Sequence, residues 1–143
     1  MGAVGTANNG GYTEDGKTNA DGSMKFQYLH IQNPNTQNFG AMFGQNIEPS
    51  GEYMTYISQN TPHIDMPNYH YGVIEFKKPL ILEHKSTGEN GWKKDLSEMY
   101  GGKTKKALSN AVMKDGYDAI VTWEDFKGQR VWSEIVNLKG KKL

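Results

Sequence analysis

The last part of the chain decides the fold: residues 117–138 read YDAIVTW, then EDFKGQ, then RVWSEIVNL. Two runs rich in β-branched and aromatic residues surround a polar segment that contains glycine, and this pattern predicts a β-hairpin with a six-residue loop. Strict alternation in its second strand places on one face Trp132, Glu134, Val136 and Leu138. A carboxylate among apolar neighbours is costly to bury without partners, so Glu134 marks a candidate site.

Strand patterns also occur in the first half of the chain. Residues 24–31, MKFQYLHI, begin with alternating apolar and polar side chains, which predicts a half-buried strand with His30 at its end. Residues 47–57, IEPSGEYMTYI, are compatible with a strand or with a short helix, because their periodicity favours neither.

The middle of the chain combines strands with helices. Residues 71–76 and 80–82 give the clearest strand pair, and Pro79 between them requires a bend or a sheet edge because proline cannot donate to the ladder. Residues 103–114 carry apolar side chains at helical spacing, and a weaker turn of helix surrounds Leu96. The predicted fold class is therefore α+β.

Length and composition indicate one domain. The chain has 143 residues and 16.0 kDa, which is the usual size of a single domain. Residues 1–23 are mostly Gly, Asn, Thr and Asp and have little apolar surface to bury, which predicts a flexible arm. The predicted domain covers residues 24–143.

Charge and cysteine content restrict the partners. Sixteen basic residues balance sixteen acidic ones, so we expect no nucleic-acid or membrane partner without a local patch. The chain contains no cysteine, and no apolar run approaches the roughly 20 residues that span a bilayer. These features predict a soluble, cytoplasmic protein.

Other polar groups give weaker signals. His63 and His70 are seven residues apart, a spacing that matches no common metal site, and we predict none. The basic clusters at residues 103–106 and 139–142 are typical of solvated surface, although they could also steer a polyanion or a pyrophosphate. A Gly-x-Gly-x-x-Gly phosphate loop, the usual Rossmann signature for NAD⁺, does not occur.

Read in order, three segments resemble the ADP-ribosyltransferase superfamily, within its His-Tyr-Glu branch of diphtheria toxin, the poly(ADP-ribose) polymerases and small bacterial and phage enzymes. Residues 28–30 (YLH) resemble the first strand of that family, and residues 51–55 (GEYMT) resemble its glycine-x-tyrosine segment. Residues 132–136 (WSEIV) are similar to the strand that carries the catalytic glutamate. The resemblance extends over about residues 24–138.

The resemblance implies a split β-sheet core, built from two packed and mostly antiparallel sheets with one or two helices. It also implies NAD⁺ as co-substrate, with His30 on the adenosine ribose, the Tyr53 ring stacked on nicotinamide and Glu134 as the catalytic residue. The remaining cofactor-binding positions by the same resemblance are Ile31, Thr55 and Tyr56.

The chain departs from the family pattern at several positions. Ile31 follows His30 where the family usually has glycine, which implies a tighter nicotinamide pocket. Trp132 occupies the position where arginine-modifying toxins have a second acid, so arginine is not favoured as acceptor. Another alignment matches residues 40–47 to the polymerase segment; the tyrosine position then falls on Glu48 or Pro49, and the second ring on Tyr53 or Tyr56.

These observations predict a mono-ADP-ribosyltransferase that transfers ADP-ribose from NAD⁺ to a protein acceptor and releases nicotinamide. If the chain is phage-encoded, it would act in the host-cell cytoplasm. Two alternatives stay open: an NAD⁺ glycohydrolase with water as acceptor, and a catalytically inactive binding or inhibitory module of phage origin that keeps the fold.

Overall fold

The computed structural model describes residues 18–31, 47–58, 60–84 and 91–139. Within these ranges the chain forms six strands and two helices, which confirms the α+β class. The elements are β1 Met24–Ile31, β2 Glu52–Tyr56, β3 Tyr69–Phe76, β4 Pro79–Glu83, α1 Gly91–Met99, α2 Lys105–Lys114, β5 Ala119–Phe126 and β6 Gln129–Asn137. Neither helix in this part of the chain is long and apolar enough to cross a membrane.

The six strands form one sheet in the order β3-β1-β2-β6-β5-β4. All neighbours are antiparallel except β4 and β5, which run parallel. The expected split into two packed sheets is therefore wrong for the described residues. The physical reason is that β2 pairs with β1 on one side and with β6 on the other, which makes the sheet continuous.

The two strands around Pro79 lie at opposite edges of the sheet and do not pair with each other. The bend between them is held by Asp118, whose carboxylate accepts hydrogen bonds from the backbone N–H groups of Lys77 (2.7 Å) and Lys78 (3.0 Å). Pro79 opens the edge strand β4, a position where its missing N–H is tolerated. The predicted bend or edge at this proline is confirmed.

The hairpin at the end of the chain is tighter than its sequence suggested. Strand β5 continues to Phe126 and β6 begins at Gln129, so the predicted six-residue loop shrinks to two residues. Those residues, Lys127 and Gly128, have φ values of 54° and 84°. Positive φ at both positions matches the right-handed twist of the strands, which favours the short connection over a longer loop.

The core divides between the two faces of the sheet. The helices cover one face, which we call the helix face, and its buried residues are Trp92, Leu96, Leu108, Val112, Ile120, Val136 and Leu138. The opposite face, here the aromatic face, buries Met24, Phe26, Met54, Phe76, Ala119, Val121 and Ile135. The Phe26 ring lies 5.2 Å from that of Trp132 and 6.4 Å from that of Phe76, centroid to centroid.

The boundary predicted at residue 23 falls at the end of a turn. Residues 18–23 fold back on themselves: Thr18 bridges Met24, and the Asn19 N–H donates to the Ser23 carbonyl at 2.8 Å. The rest of the predicted arm, residues 1–17, lies outside the described residues.

Candidate functional site

Three neighbouring strands carry the three predicted site residues. His30 lies on β1, Tyr53 on β2 and Glu134 on β6, and these strands are adjacent in the sheet in that order. The β2–β6 pairing places Tyr53 opposite Val136, and Thr55 opposite Glu134. Segments that are far apart in the sequence thus meet through a pairing between non-consecutive strands.

A β-bulge interrupts β6 next to Glu134. Val121 pairs with Ile135, whereas two residues further along β5 Trp123 pairs with Trp132, three residues back along β6. One additional β6 residue therefore lies between these two pairs. A bulge of this kind reverses the inward and outward alternation of the strand that contains it.

The bulge separates Trp132 from Glu134. Trp132 packs against Phe26 on the aromatic face, whereas Glu134 shares the helix face with Val136. The prediction that Trp132 and Glu134 share a face is therefore wrong, because strict alternation holds only for a regular strand. The indole of Trp132 therefore does not lie beside the Glu134 carboxylate.

Thr122 fixes the backbone of Glu134 at the bulge. The Glu134 N–H donates to the Thr122 hydroxyl at 2.9 Å, and the hydroxyl donates to the Glu134 carbonyl at 3.2 Å. Thr122 is fully buried on β5. One side chain thus satisfies two backbone groups that the irregular ladder would otherwise leave without partners.

The Glu134 carboxylate is held by Trp92, whose indole N–H donates to Oε1 at 3.1 Å. Trp92 is 2% exposed and belongs to α1, which packs on the helix face. Sequence reasoning missed Trp92, because a lone tryptophan in a weakly helical segment carries no signal for a contact with a strand residue. The buried indole gives the carboxylate a fixed position.

Tyr53 lies beside Glu134 on the helix face, where its ring packs against the buried cluster. Its hydroxyl donates to the Pro49 carbonyl at 2.6 Å. Burial raises the pKa of the Tyr53 phenol, and the negative charges of Glu48 and Glu134 raise it further. Tyr53 is therefore a neutral aromatic ring whose orientation is fixed by its hydroxyl.

A second charged pair borders Tyr53. Lys93 follows Trp92 on α1 and is 8% exposed, and its Nζ lies 3.0 Å from Oε1 of Glu48. The same Nζ lies 5.5 Å from the centroid of the Tyr53 ring and 5.8 Å from that of Trp92. Burial raises the pKa of Glu48, the bond to Lys93 opposes this shift, and the charge of Glu134 adds to it.

Sequence reasoning reached Glu48 only through the alternative alignment of residues 40–47, of which residues 40–46 lie outside the described residues. That alignment put Glu48 or Pro49 at the tyrosine position. The structure places both next to Tyr53, as a charged neighbour of the phenol and as its hydrogen-bond acceptor. Lys93 carried no recognisable signal in the sequence.

His30 joins the site through the backbone of β2. Its Nδ1 lies 2.9 Å from the Tyr53 carbonyl oxygen. A carbonyl can only accept, so Nδ1 donates in this hydrogen bond. Its strand position falls in the same alternating set as Phe26 and Tyr28, on the aromatic side of β1. His30 therefore touches the site from the neighbouring strand rather than from the helix face.

The three remaining predicted positions lie in different parts of the sheet. Thr55 is exposed on β2 opposite Glu134 and belongs to the same face. The Tyr56 ring meets Phe26 edge-on at 6.5 Å, so it packs on the aromatic face and is not brought to the site. Ile31 is 44% exposed at the end of β1. The helix-face site therefore unites Tyr53, Thr55, Glu134, Trp92, Lys93 and Glu48.

His63 and His70 take part in ring contacts. His63 stacks on Tyr71 with a centroid distance of 3.9 Å, and the His70 ring lies 6.5 Å from that of His30. Among the described residues, no group of three His, Asp or Glu side chains is arranged to hold a metal ion.

Comparison with known protein families, with curated proteins and with solved structures finds no match to this chain.

Proposed function

We propose that this chain is an NAD⁺-dependent mono-ADP-ribosyltransferase that modifies a protein and releases nicotinamide. One observation carries the proposal: Tyr53 and Glu134 lie on one face of adjacent strands, and His30 binds the Tyr53 carbonyl from the next strand. The resemblance adds that the three residues occur along the chain in the order of the family, His30 before Tyr53 before Glu134.

Glu134 suits the stabilisation of a developing positive charge. NAD⁺ supplies the ADP-ribosyl group and a nicotinamide leaving group. A carboxylate offers about four lone-pair sites, so the single indole N–H of Trp92 leaves capacity for a ribose hydroxyl. An anion already fixed by Trp92 and Thr122 needs little reorganisation when charge develops on the sugar, which is the condition for effective electrostatic stabilisation.

The neighbouring groups have complementary roles in this proposal. Tyr53 provides a neutral ring of fixed orientation for a planar heterocycle, since aromatic pairs prefer offset-stacked or edge arrangements. His30 lies on the aromatic side of β1 and contributes in this proposal by holding the Tyr53 carbonyl through Nδ1. Trp132, two residues before Glu134, packs on the opposite face, which supports an acceptor other than arginine.

The direct test is incubation of the purified protein with labelled NAD⁺ and a bacterial lysate. We expect a labelled protein target, and we expect Glu134→Gln to reduce labelling by a factor of roughly 10²–10³, the usual cost of removing one electrostatic stabiliser. Glu98→Gln, which changes an exposed carboxylate on α1, is the matched control. Equal labelling by wild type and Glu134→Gln would remove Glu134 from the reaction.

The same assay separates the other functions. Nicotinamide release without any labelled protein identifies a glycohydrolase, a reaction that the half-buried Glu48 favours because it gives water a proton acceptor. Absence of both NAD⁺ binding and nicotinamide release identifies a non-catalytic module.

A further inference from the structure

The helix-face site contains two carboxylates in different environments. Glu134 accepts from a buried indole, whereas Glu48 pairs with the ammonium group of Lys93. Glu48 is connected to Tyr53 through Lys93, whose Nζ lies 3.0 Å from Glu48 Oε1 and 5.5 Å from the centroid of the Tyr53 ring. Two carboxylates whose surroundings differ in this way are suited to different tasks in one reaction.

We propose that Glu48 is the general base that removes the proton from the attacking nucleophile. This inference rests on the proposed transferase function and adds a second catalytic residue to it. Glu134 is already committed to the indole of Trp92 and, in the proposed reaction, to a ribose hydroxyl. Glu48 is thus the second carboxylate at Tyr53, and its assigned task differs from that of Glu134.

The surroundings of Glu48 fit a base. Its side chain is 22% exposed and that of Lys93 is 10% exposed, so the pair is largely withdrawn from water yet remains reachable. Burial raises the pKa of Glu48, which strengthens it as a proton acceptor. The bond from Lys93 favours the ionised form in which it can act.

The step is balanced without any further reactant. The bond from C1′ of the ribose to the nicotinamide nitrogen breaks, and its electron pair neutralises the pyridinium as nicotinamide leaves. The nucleophile forms a bond to C1′ and gives up its proton, which goes to the Glu48 carboxylate. Release of that proton to water restores the starting state.

The Glu48–Lys93 pair also connects α1 to the segment before β2. A purely structural role of Glu48 therefore has to be distinguished from a role as general base. Nucleophiles with and without a proton make that distinction. Methanol must lose a proton on attack, whereas azide anion has none to lose. Removal of a base therefore slows methanolysis of NAD⁺ but leaves azidolysis available, and a structural lesion slows both equally.

The experiment measures the ratio of azide to methanol products formed from NAD⁺ by the full chain. We expect Glu48→Gln to raise this ratio by a factor of roughly 10²–10⁴, the range for loss of general base catalysis. Glu98→Gln is the matched control, since it removes the partner of Lys94 from an exposed pair on the same helix, and we expect it to leave the ratio unchanged. A ratio for Glu48→Gln within a few-fold of wild type would overturn the inference.

Wild type provides a second measurement that does not depend on the folding of a variant. As the pH falls, a glutamate whose pKa is raised takes up its proton before a glutamate of ordinary pKa does, so the measurement is made at pH values where azide is still ionised. We expect the product ratio to rise as the pH falls, and a constant ratio would overturn the role of Glu48. Wild-type protein that releases no nicotinamide with water, methanol, azide or lysate would instead overturn the proposed function itself.

Discussion

Trp92 is predicted to stabilise the Glu134 carboxylate through one charge-assisted hydrogen bond. Replacement of Trp92 by Phe keeps an aromatic ring in the core but removes the indole N–H that donates at 3.1 Å. Hydrogen bonds to charged groups contribute about 1.5–3 kcal/mol. The smaller ring adds a cavity cost of about 1 kcal/mol, so we expect a total loss of roughly 2.5–4 kcal/mol of unfolding free energy.

A double-mutant cycle isolates the bond from the cavity. Urea unfolding of Trp92→Phe, Glu134→Ala and the double variant should give a coupling energy of about 1.5–3 kcal/mol, because the cavity cost cancels in the cycle. The double variant should therefore be more stable than the sum of the single losses implies. A coupling energy below about 0.5 kcal/mol would show that the indole does not stabilise the carboxylate. In NAD⁺ turnover, Trp92→Phe should lower kcat and leave KM nearly unchanged, as expected for a positioning residue.

Three further variants test the local geometry, each by urea or thermal unfolding. Thr122→Val should cost about 1–3 kcal/mol, because it leaves two backbone groups of Glu134 without partners; a loss no larger than that of an exposed Thr55→Val would contradict this. Gly51→Ala should cost about 1–3 kcal/mol, since its Cβ would lie 2.7 Å from Val136 Cγ1, and Val136→Ala should recover part of the loss. Lys127→Asn should stabilise by about 1 kcal/mol, because Asn tolerates the φ of 54° better than Lys; an unchanged melting temperature would count against it.

Local chemistry explains which elements were predictable. Period-two alternation identified β1, and the β-branched and aromatic runs identified β5 and β6, because each pattern depends only on neighbours in the sequence. Pro79 indicated an edge for a similar reason, since its missing N–H is a property of the residue itself. The ambiguous segment became strand β2 because it lies between β1 and β6, a tertiary effect that no local pattern contains.

Long-range contacts explain what the sequence did not reveal. The bond between Trp92 and Glu134 joins residues 42 apart, and the pair of Lys93 and Glu48 joins residues 45 apart. Both depend on the way in which α1 packs over the sheet, which composition and periodicity leave undetermined. The sequence therefore indicated Glu134 and Tyr53 as candidates. It could not identify the groups that orient these two side chains or the charged pair that lies next to them.

The bulge beside Glu134 is explained by Thr122, a residue whose role becomes clear only from the structure. Thr122 is a polar residue in the apolar run AIVTW, and a buried hydroxyl without partners is costly by a few kcal/mol. Both of its hydrogen bonds go to the backbone of Glu134, so the hydroxyl favours the irregular register over the regular one. In a regular strand Trp132 would share the helix face with Glu134 and fill the space next to its carboxylate. Thr122 thus connects one buried hydroxyl to the surroundings of an acid, because without the bulge the Trp132 indole would lie next to the Glu134 carboxylate.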